Sequence, residues 1–402
     1  MLVKCLLLAG IFIIFYSYAG YGLLVWLLLK ARTLIKKPAT ITAKANPTLL
    51  PADLPDVTLI VAAFNEESFI VEKIKNSLAL DYPADKLQLI LITDGSTDAT
   101  PQLVAGFDRI HLLHQPERKG KVAAMHRAMS YVKTPIVIFS DANTLLNPES
   151  IRNIARHYSD ERTGGVAGEK KIMATGNDKI AGIGEGLYWK YESLLKRLDS
   201  DLYTVVGAAG ELFSIRTALY EPVGEDTLLD DFVISLKVCR RGYRVQYEPN
   251  AYALEMPSSS LQEERKRKIR ISAGAFQSMA MLKGLLNVFK YPMLSFQYIS
   301  HRVLRWTLCP LLLPILFFLN AIIAIEDPSV FFRLLFAAQI AFYAAATAGW
   351  LLANRNIKSK LLYVPYYFFF INVSLYQGFF RYRKGRQTVL WDKAAREQYT
   401  AP

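Results

Sequence analysis

The chain has 402 residues, a formal net charge of +13 and 52% hydrophobic residues. Its three cysteines exclude a disulfide framework, and no Cys/His group has zinc-site spacing. Basic residues cluster beside apolar segments, at 30–37, 265–270 and 381–386, which fits anionic lipid and cytoplasmic loops; nucleic acid is disfavoured, because interleaved aromatics and a recognised binding module are missing.

The stretch 5–29 is almost uncharged and long enough to span a bilayer as a helix. Only Lys4 precedes it, whereas Lys30, Arg32, Lys36 and Lys37 follow. It therefore reads as a retained membrane helix with its next segment cytoplasmic, not as a cleaved signal peptide. Residues 1–37 form this anchor and its basic flank, and 38–55, rich in proline, is a linker.

A globular domain is expected over 56–274. Apolar runs at 57–63, 87–93, 110–113 and 136–139 read as strands, with helices at about 68–80 and 121–130 between them. The alternation predicts an α/β fold with a largely parallel sheet. From 164 to 220 the alternation weakens and glycines, Gly176 among them, become frequent; an amphipathic helix is expected at 185–198. A further helix is expected at 226–242 and a strand at 244–247. Residues 275–302 mix Met, Leu and Phe with Lys283 and Lys290, so they are expected along the membrane surface. Apolar segments at 303–325, 330–353 and 361–380 are each long enough to span, and 303–380 is assigned to C-terminal membrane helices, before a basic tail at 381–402. Glu326 and Asp327 mark an outside loop, and Arg355, Lys358 and Lys360 an inside one. Three crossings from a cytoplasmic domain put the basic tail outside, which conflicts with its charge; either one segment is re-entrant or interfacial, or the tail is translocated.

Chemistry-bearing residues gather where strands end. Asp141 and Asn143 follow the run 136–139 and offer two oxygen ligands to a hard divalent cation, although Asp and Asn also suit any turn. Asp94 and Asp98 follow the strand at 87–93, where an Asp accepts hydrogen bonds from a nucleotide; Ser96 or Thr97 reads as the cap of a following helix. Lys119, Gly120 and Lys121 precede a helix, where they can attract phosphate without the P-loop pattern, although by themselves they read first as a solvated basic loop. Asp230 and Asp231 are paired carboxylates in a first helical turn. Like charge raises one pKa toward that of a general base, and negative charge at a helix start is also simply stabilising. The run 265–270 suits a leaving diphosphate or anionic headgroups about equally. The histidines at 111, 114, 126, 157 and 301 have no metal spacing.

Taken in order, VAAFNEE, ITDGSTD, KGK, FSDAN, LLDDF and RKIRISAGAFQ resemble the membrane-embedded family 2 glycosyltransferases, the relatives of cellulose, chitin and hyaluronan synthases. The resemblance covers about 57–277 and the flanking helices. It implies a GT-A fold, a UDP-sugar donor and a Mg²⁺ or Mn²⁺ ion. It places Ala63, Asn65, Glu66 and Asp94 in the uridine-contacting loops, Lys121 and Arg270 on the donor, and Asp141 and Asn143 at the metal. Asn143 stands where the family has a second Asp. Asp231 falls at the catalytic aspartate, the base that takes the acceptor proton in an inverting displacement. VGAAGELF resembles the acceptor segment, with Gly207, Gly210 and Phe213. Ile271 stands where the family usually has Trp, which weakens the case for long-chain synthesis; Gly274 and Gln277 match.

The expected protein is an integral membrane enzyme of the cell inner membrane with a cytoplasmic catalytic domain. It moves a sugar from a UDP donor to a polysaccharide or lipid-linked acceptor, in contact with membrane lipid. A homo-oligomer or partner secretion proteins would complete a polymer channel. The competing reading is a non-catalytic scaffold or subunit of a polysaccharide secretion complex.

Overall fold

The computed structural model describes residues 1–35, 53–173, 180–258, 260–355, 357 and 359–385, the side chains at 35, 180–187 and 360 excepted. Most of the expected linker at 38–55 lies outside the described residues, as do Lys36, Lys37, Gly176, Lys358 and the expected tail from Arg386 onward.

Helices α1 (Leu2–Phe15) and α2 (Tyr21–Ile35) join through a π turn at Tyr16–Gly20. Strands and helices then alternate: β1 (Val57–Ala63), α3 (Ile70–Leu78), β2 (Leu87–Asp94), α4 (Thr100–Ala105), β3 (His111–Gln115), α5 (Lys121–Met129) and β4 (Ile136–Asp141). The domain continues through β5 (Thr144–Leu146), α6 (Ser150–Ala155), β6 (Thr163–Ile172), α7 (Ile180–Leu202), β7 (Phe213–Arg216), α8 (Asp230–Arg240) and β8 (Arg244–Glu255). Then follow α9 (Leu261–Met281), α10 (Pro292–Tyr298), α11 (Leu304–Trp306), α12 (Leu308–Glu326), α13 (Val330–Asn354) and α14 (Lys360–Arg383).

One sheet holds all the described strands, in the order β3-β2-β1-β4-β7-β6-β8-β5. β1, β2, β3 and β4 are mutually parallel, as expected; β7 runs antiparallel to β4 and β6. Along β1 and β4 the side chains alternate between two cores. Leu59, Val61, Ile136 and Ile138 face one, and Ile60, Val137 and Phe139 face the other. Burial on both faces is why these strands read as unbroken apolar runs. The chain adds β2 and β3 on one side of β1 and β4 on the other. Such a reversal leaves a crevice at the carboxyl ends of the strands, where open α/β sheets bind ligands. Asp141 stands at that crevice, paired in register with Ala62.

The weak alternation at 164–220 conceals β6 and β7, and β8 extends well past the expected 244–247. β6 was illegible because packing demands its glycines. A Cβ on Gly164 would come 2.6 Å from Val238 Cγ1, and one on Gly168 would come 2.8 Å from the Ala251 carbonyl oxygen.

The stretch expected along the membrane surface sends one face into the domain core: Leu282, Leu285, Leu294 and Tyr298 pack in the same cluster as Phe213 and Phe232. Its exposed large apolar residues are Met281, Leu286, Val288, Phe289 and Met293. Among the described residues three helices are long and apolar enough to cross a membrane: Leu2–Leu34, Leu308–Glu326 and Val330–Asn354. The segment at 361–380, expected as a fourth span, is not among them. Its helix, α14, carries Tyr363, Tyr366, Tyr367, Asn372 and Gln377 and lies along α9. Gly378 sits so close that a Cβ there would be 2.4 Å from Ser272 Cβ, and the Phe379 and Phe276 rings are 5.2 Å apart. One crossing before the domain and two after it would return Arg381 and Lys384 to the domain's side, which removes the charge conflict.

A buried polar cluster ties the domain to these helices. Asp199 accepts from the Tyr21 hydroxyl and pairs with His301 Nδ1 at 2.5 Å. Glu192 accepts from Arg302 and Arg305, both at 2.8 Å.

Candidate active site

Three loops close over the carboxyl ends of β1, β2 and β4. Ala63 ends β1, and Asn65 follows with φ 52, a left-handed conformation that Asn tolerates better than most residues. Its side-chain oxygen accepts the Thr97 N–H at 2.8 Å, while its own N–H donates to Ser96 Oγ. The N–H of Glu66 donates to Thr100 Oγ1 at 2.8 Å. Ser96 and Thr97 therefore stitch two loops together and do not cap a helix, which corrects the capping expectation; α4 starts only at Thr100, where Asp98 Oδ1 accepts the backbone N–H.

Asp94 is 1% exposed. Its two oxygens accept the backbone N–H groups of Lys119 and Gly120, at 2.9 and 2.7 Å. It thereby fixes the loop that starts α5, and Lys121 in the first turn reaches across to Asp141 Oδ1 at 2.6 Å. Burial works against the Lys121 charge, but Asp141, Asp230 and Asp231 outweigh it and hold its pKa above the ordinary value.

Gly210 marks the point of convergence. A Cβ built there would lie 3.0 Å from Lys121 Nζ, 3.4 Å from Asp231 Oδ2 and 3.7 Å from Asp141 Oδ1. Asp231 opens α8 and accepts the Phe232 N–H at 2.8 Å. Burial, and then Asp230, push its carboxyl up to about 7, against the pull of Lys121. Arg270, on α9, lies within the field of Asp230, Asp141 and Asp231, and its buried Nε has no hydrogen-bond partner. Gln277 holds α9 to the approach to α8 by donating to the Asp226 carbonyl and accepting the Leu228 N–H, both near 2.8–2.9 Å. Gly274 permits that approach, since a Cβ would come 2.7 Å from Leu229 Cγ.

Not every expected site residue faces this crevice. Phe213 is 1% exposed and stacks on Phe139 with centroids 4.8 Å apart, so it belongs to the core and is corrected as an acceptor residue. Gly207, with φ 86, lies under the Phe232 ring. Two residues that sequence reasoning missed support the site from below. Lys73 is fully buried and donates to Ser140 Oγ at 2.7 Å and to the Thr144 carbonyl at 2.9 Å, on either side of Asp141 and Asn143. Lys170, also buried, pairs with Glu211 at 2.6 Å behind Gly210. A lysine in a short amphipathic helix or in a glycine-rich strand carries no signal of such a role.

A divalent cation fits Asp141 and Asn143 only as an open site. Asn143 is half-buried, and its side chain has no hydrogen-bond partner among the described residues. Among the described residues no group of three or more His, Cys, Asp or Glu is placed to hold a metal. Remaining ligands would come from phosphate oxygens and water, the usual arrangement for Mg²⁺.

Residues 58–223 match the family model described as "Glycosyl transferase family 2". The chain carries a family 2 glycosyltransferase domain. Among curated relatives, a "Poly-beta-1,6-N-acetyl-D-glucosamine synthase" of Staphylococcus aureus is 25% identical over 256 residues, 61% of this chain and 60% of that protein. A "Probable glycosyltransferase YdaM" of Bacillus subtilis is 23% identical over 265 residues, 59% of each chain. The chain thus matches about 60% of the length of these curated relatives. In fold, the family 2 domain and its helices resemble the mannosyltransferase PcManGT of Pyrobaculum calidifontis, solved with GDP-Man and Mn²⁺. The TM-score is 0.68 at 22% identity, covering 95% of this chain and 100% of that one. The likeness establishes the GT-A architecture.

Proposed function

We propose that the protein is an inverting glycosyltransferase of the polysaccharide-synthase type, taking a UDP-sugar and glycosylating a polysaccharide or lipid-linked acceptor at the cytoplasmic membrane face. The observation that carries this reading is the convergence of Lys121, Asp141 and Asp231 on Gly210. It brings a cation for the donor diphosphate, a metal-binding carboxylate and a base of raised pKa to one crevice at the sheet's switch point.

Each residue has a step. Ala63, Asn65 and Glu66 shape the nucleotide end of the crevice, and Asp94 holds the loop that presents Lys121. Lys121 and Arg270 neutralise the diphosphate as it leaves. Asp141 and Asn143 would hold Mg²⁺ or Mn²⁺, which would supply positive charge to the same phosphates. Asp231 takes the proton of the acceptor hydroxyl while that oxygen bonds to the anomeric carbon and the carbon–oxygen bond to the diphosphate breaks. A pKa of about 7 leaves this base part-ionised at neutral pH. One displacement inverts the anomeric centre. The backbone around Gly210 borders the acceptor side. Three candidate spans are few for a self-contained polymer channel, which favours a single transfer or a short product.

The test is release of nucleoside diphosphate by the purified protein from UDP-glucose, UDP-N-acetylglucosamine, UDP-galactose, UDP-glucuronate and GDP-mannose, with Mg²⁺ or Mn²⁺. Product configuration is then read by NMR. Turnover of a UDP-sugar with inversion is expected. No turnover of any donor returns the scaffold reading, and retention of configuration removes Asp231 as the direct base.

A further inference from the structure

A groove of about 1270 Å³ opens between α12, α13 and α14. That exceeds the ~300–1,000 Å³ usual for small-ligand pockets. Its walls are Pro314, Phe317, Ile340, Trp350, Phe369 and Val373, and Gln262, Arg265 and Asn354 stand at the end where Ala353 and Leu261 pack with Tyr363 and Tyr366. Trp350, Ile340 and Phe369 are themselves exposed, so the groove opens sideways to whatever surrounds these helices. From Asn354 to Ile340 it follows α13 for roughly 21 Å at about 1.5 Å per residue. Two-thirds of a hydrocarbon core ~30 Å thick has that depth.

The polar end has a specific charge. On α9, Lys266 pairs with Glu263 at 2.7 Å, and Arg267 and Lys268 pair with Glu264 at 3.0 and 3.7 Å. Among the described residues Arg265 has no ion-pair or hydrogen-bond partner, and it lines the mouth. The groove is thus amphipathic: a mostly apolar wall with a cation at one end. The polar side chains along the wall, Thr347, Asn372 and Ser374, donate to carbonyls of their own helices, so a sugar polymer would leave most of its hydroxyls unpaired there, at a cost for each buried group.

Two helices run from this mouth to the catalytic crevice. Arg270 lies about 7.5 Å further along α9 than Arg265, at about 1.5 Å per residue. On α14, Gln377 lines the groove, Gly378 packs on Ser272, and Arg381 acts electrostatically on Arg270.

We propose that this groove holds the hydrocarbon chain of a phosphate-headed lipid, with the phosphate on Arg265 and the chain along α13, and that this lipid presents the acceptor to Asp231. The proposal rests on the transferase reading for the lipid's role as acceptor, and its binding test stands apart from activity. The lipid enters laterally from the bilayer, so no channel is needed.

Ala344 and Thr347 line the groove and are exposed, so Ala344→Trp and Thr347→Trp fill space without entering the core. The full chain is placed in nanodiscs of phosphatidylcholine with tritiated polyisoprenyl phosphate or the matching polyisoprenol. Preferential retention of the phosphate is expected. Each Trp variant should lower that retention by about tenfold, with nucleotide affinity kept within about twofold of the parent. Arg265→Glu should bring retention of the phosphate down to that of the alcohol. Equal retention of phosphate and alcohol by the parent overturns the proposal, as does parent-like retention in both Trp variants. Should the Trp variants lose nucleotide affinity as well, the Arg265→Glu result decides alone. If binding behaves as expected but lipid glycosylation is unchanged in variants that no longer bind, the groove is not the acceptor site. If the parent binds the lipid but turns over no nucleotide sugar, the transferase reading fails and the lipid site stands.

Discussion

Lys121 Nζ lies 2.6 Å from Asp141 Oδ1, so the first turn of α5 and the end of β4 are joined across the crevice by one charged pair. The pair is about a quarter exposed on each side, and the lysine is held charged by three carboxylates. Lys121→Met removes the cation and leaves Asp141 facing Asp231. Nucleoside diphosphate affinity is expected to fall about 10- to 100-fold, since hydrogen bonds to charged groups are worth ~1.5–3 kcal/mol. Lys121→Arg should not restore it, because a planar fork does not replace a point charge beside Gly210. Calorimetric titration with UDP measures this; an unchanged affinity takes Lys121 out of the donor site.

Asp231→Asn separates catalysis from binding. Transfer should fall by about 10²–10⁴-fold, the usual worth of a general base, with UDP affinity nearly unchanged. The parent's kcat should rise with pH through about 7, as Asp231 ionises. The sign for stability is opposite. A carboxyl whose folded pKa is raised is protonated more readily in the native state than in the unfolded one. Stability therefore falls as pH rises from about 3.9, the unfolded value, through the folded value, by ~1.4 kcal/mol per unit of pKa difference. Asp231→Asn should lose that dependence and show a higher Tm than the parent at pH 8 but not at pH 4, by differential scanning fluorimetry. A parent kcat flat between pH 5 and 8 would sink the base assignment.

The parallel half of the sheet was legible because its strands are buried on both faces, so 57–63 and 136–139 stand out as apolar runs. Asp141 was legible because it sits at the end of such a run, whereas Asp231, in a first helical turn, was singled out only by the family resemblance. The antiparallel half was not. In β6, Gly164 and Gly168 exist to let Val238 and Ala251 approach, and that long-range demand leaves no local period. Phe213 was misplaced because the resemblance of VGAAGELF to an acceptor segment does not say which way each side chain faces, and only the partner Phe139 shows it to be core. In α14, length suggested a span; its tyrosines and its seat on Ser272 and Phe276 become intelligible only beside α9.

Gly207 and Gly210 sit three residues apart and should respond differently to alanine. At Gly207, φ is 86 and a Cβ would fall 2.0 Å from Phe232 Cδ2. Gly207→Ala should destabilise the domain by ~1–3 kcal/mol, seen as a lower Tm. At Gly210 the nearest atom is the flexible tip of Lys121, at 3.0 Å. Gly210→Ala should leave Tm almost unchanged while displacing that ammonium, and kcat/KM should fall by about tenfold or more. Equal Tm losses in both variants would mean that Gly210 is a packing glycine only.

The metal site predicts a gain as well as a loss. Asn143 offers a neutral carbonyl beside Asp141, so Asn143→Asp adds a charged ligand and should tighten Mn²⁺ binding in the presence of UDP, by about tenfold. Asn143→Ala should weaken it. Chelation should stop donor turnover, and Mg²⁺ or Mn²⁺ should restore it. Mn²⁺ binding followed by electron paramagnetic resonance checks the order Asp, Asn, Ala; an Asn143→Ala protein that binds as the parent does would remove this ligand.

Lys73 supports the same loop from beneath, and its removal should be felt there. Its Nζ donates to Ser140 Oγ and to the Thr144 carbonyl, the residues that bracket Asp141 to Asn143. Burial pulls its pKa down to about 7, with Asp141 opposing. The native state then binds this proton less readily than the unfolded chain does, whose lysines titrate near 10.4. Stability should rise with pH between about 7 and 10.4, and the contribution should be constant below that window. Lys73→Met keeps the apolar stem and removes both the titration and the two donors. It should flatten the stability profile from pH 7 to 10, and it should weaken Mn²⁺ binding at Asp141 because the loop loses its tether. A variant with a flat profile but parent-like Mn²⁺ affinity would show that Lys73 serves the fold and not the metal loop.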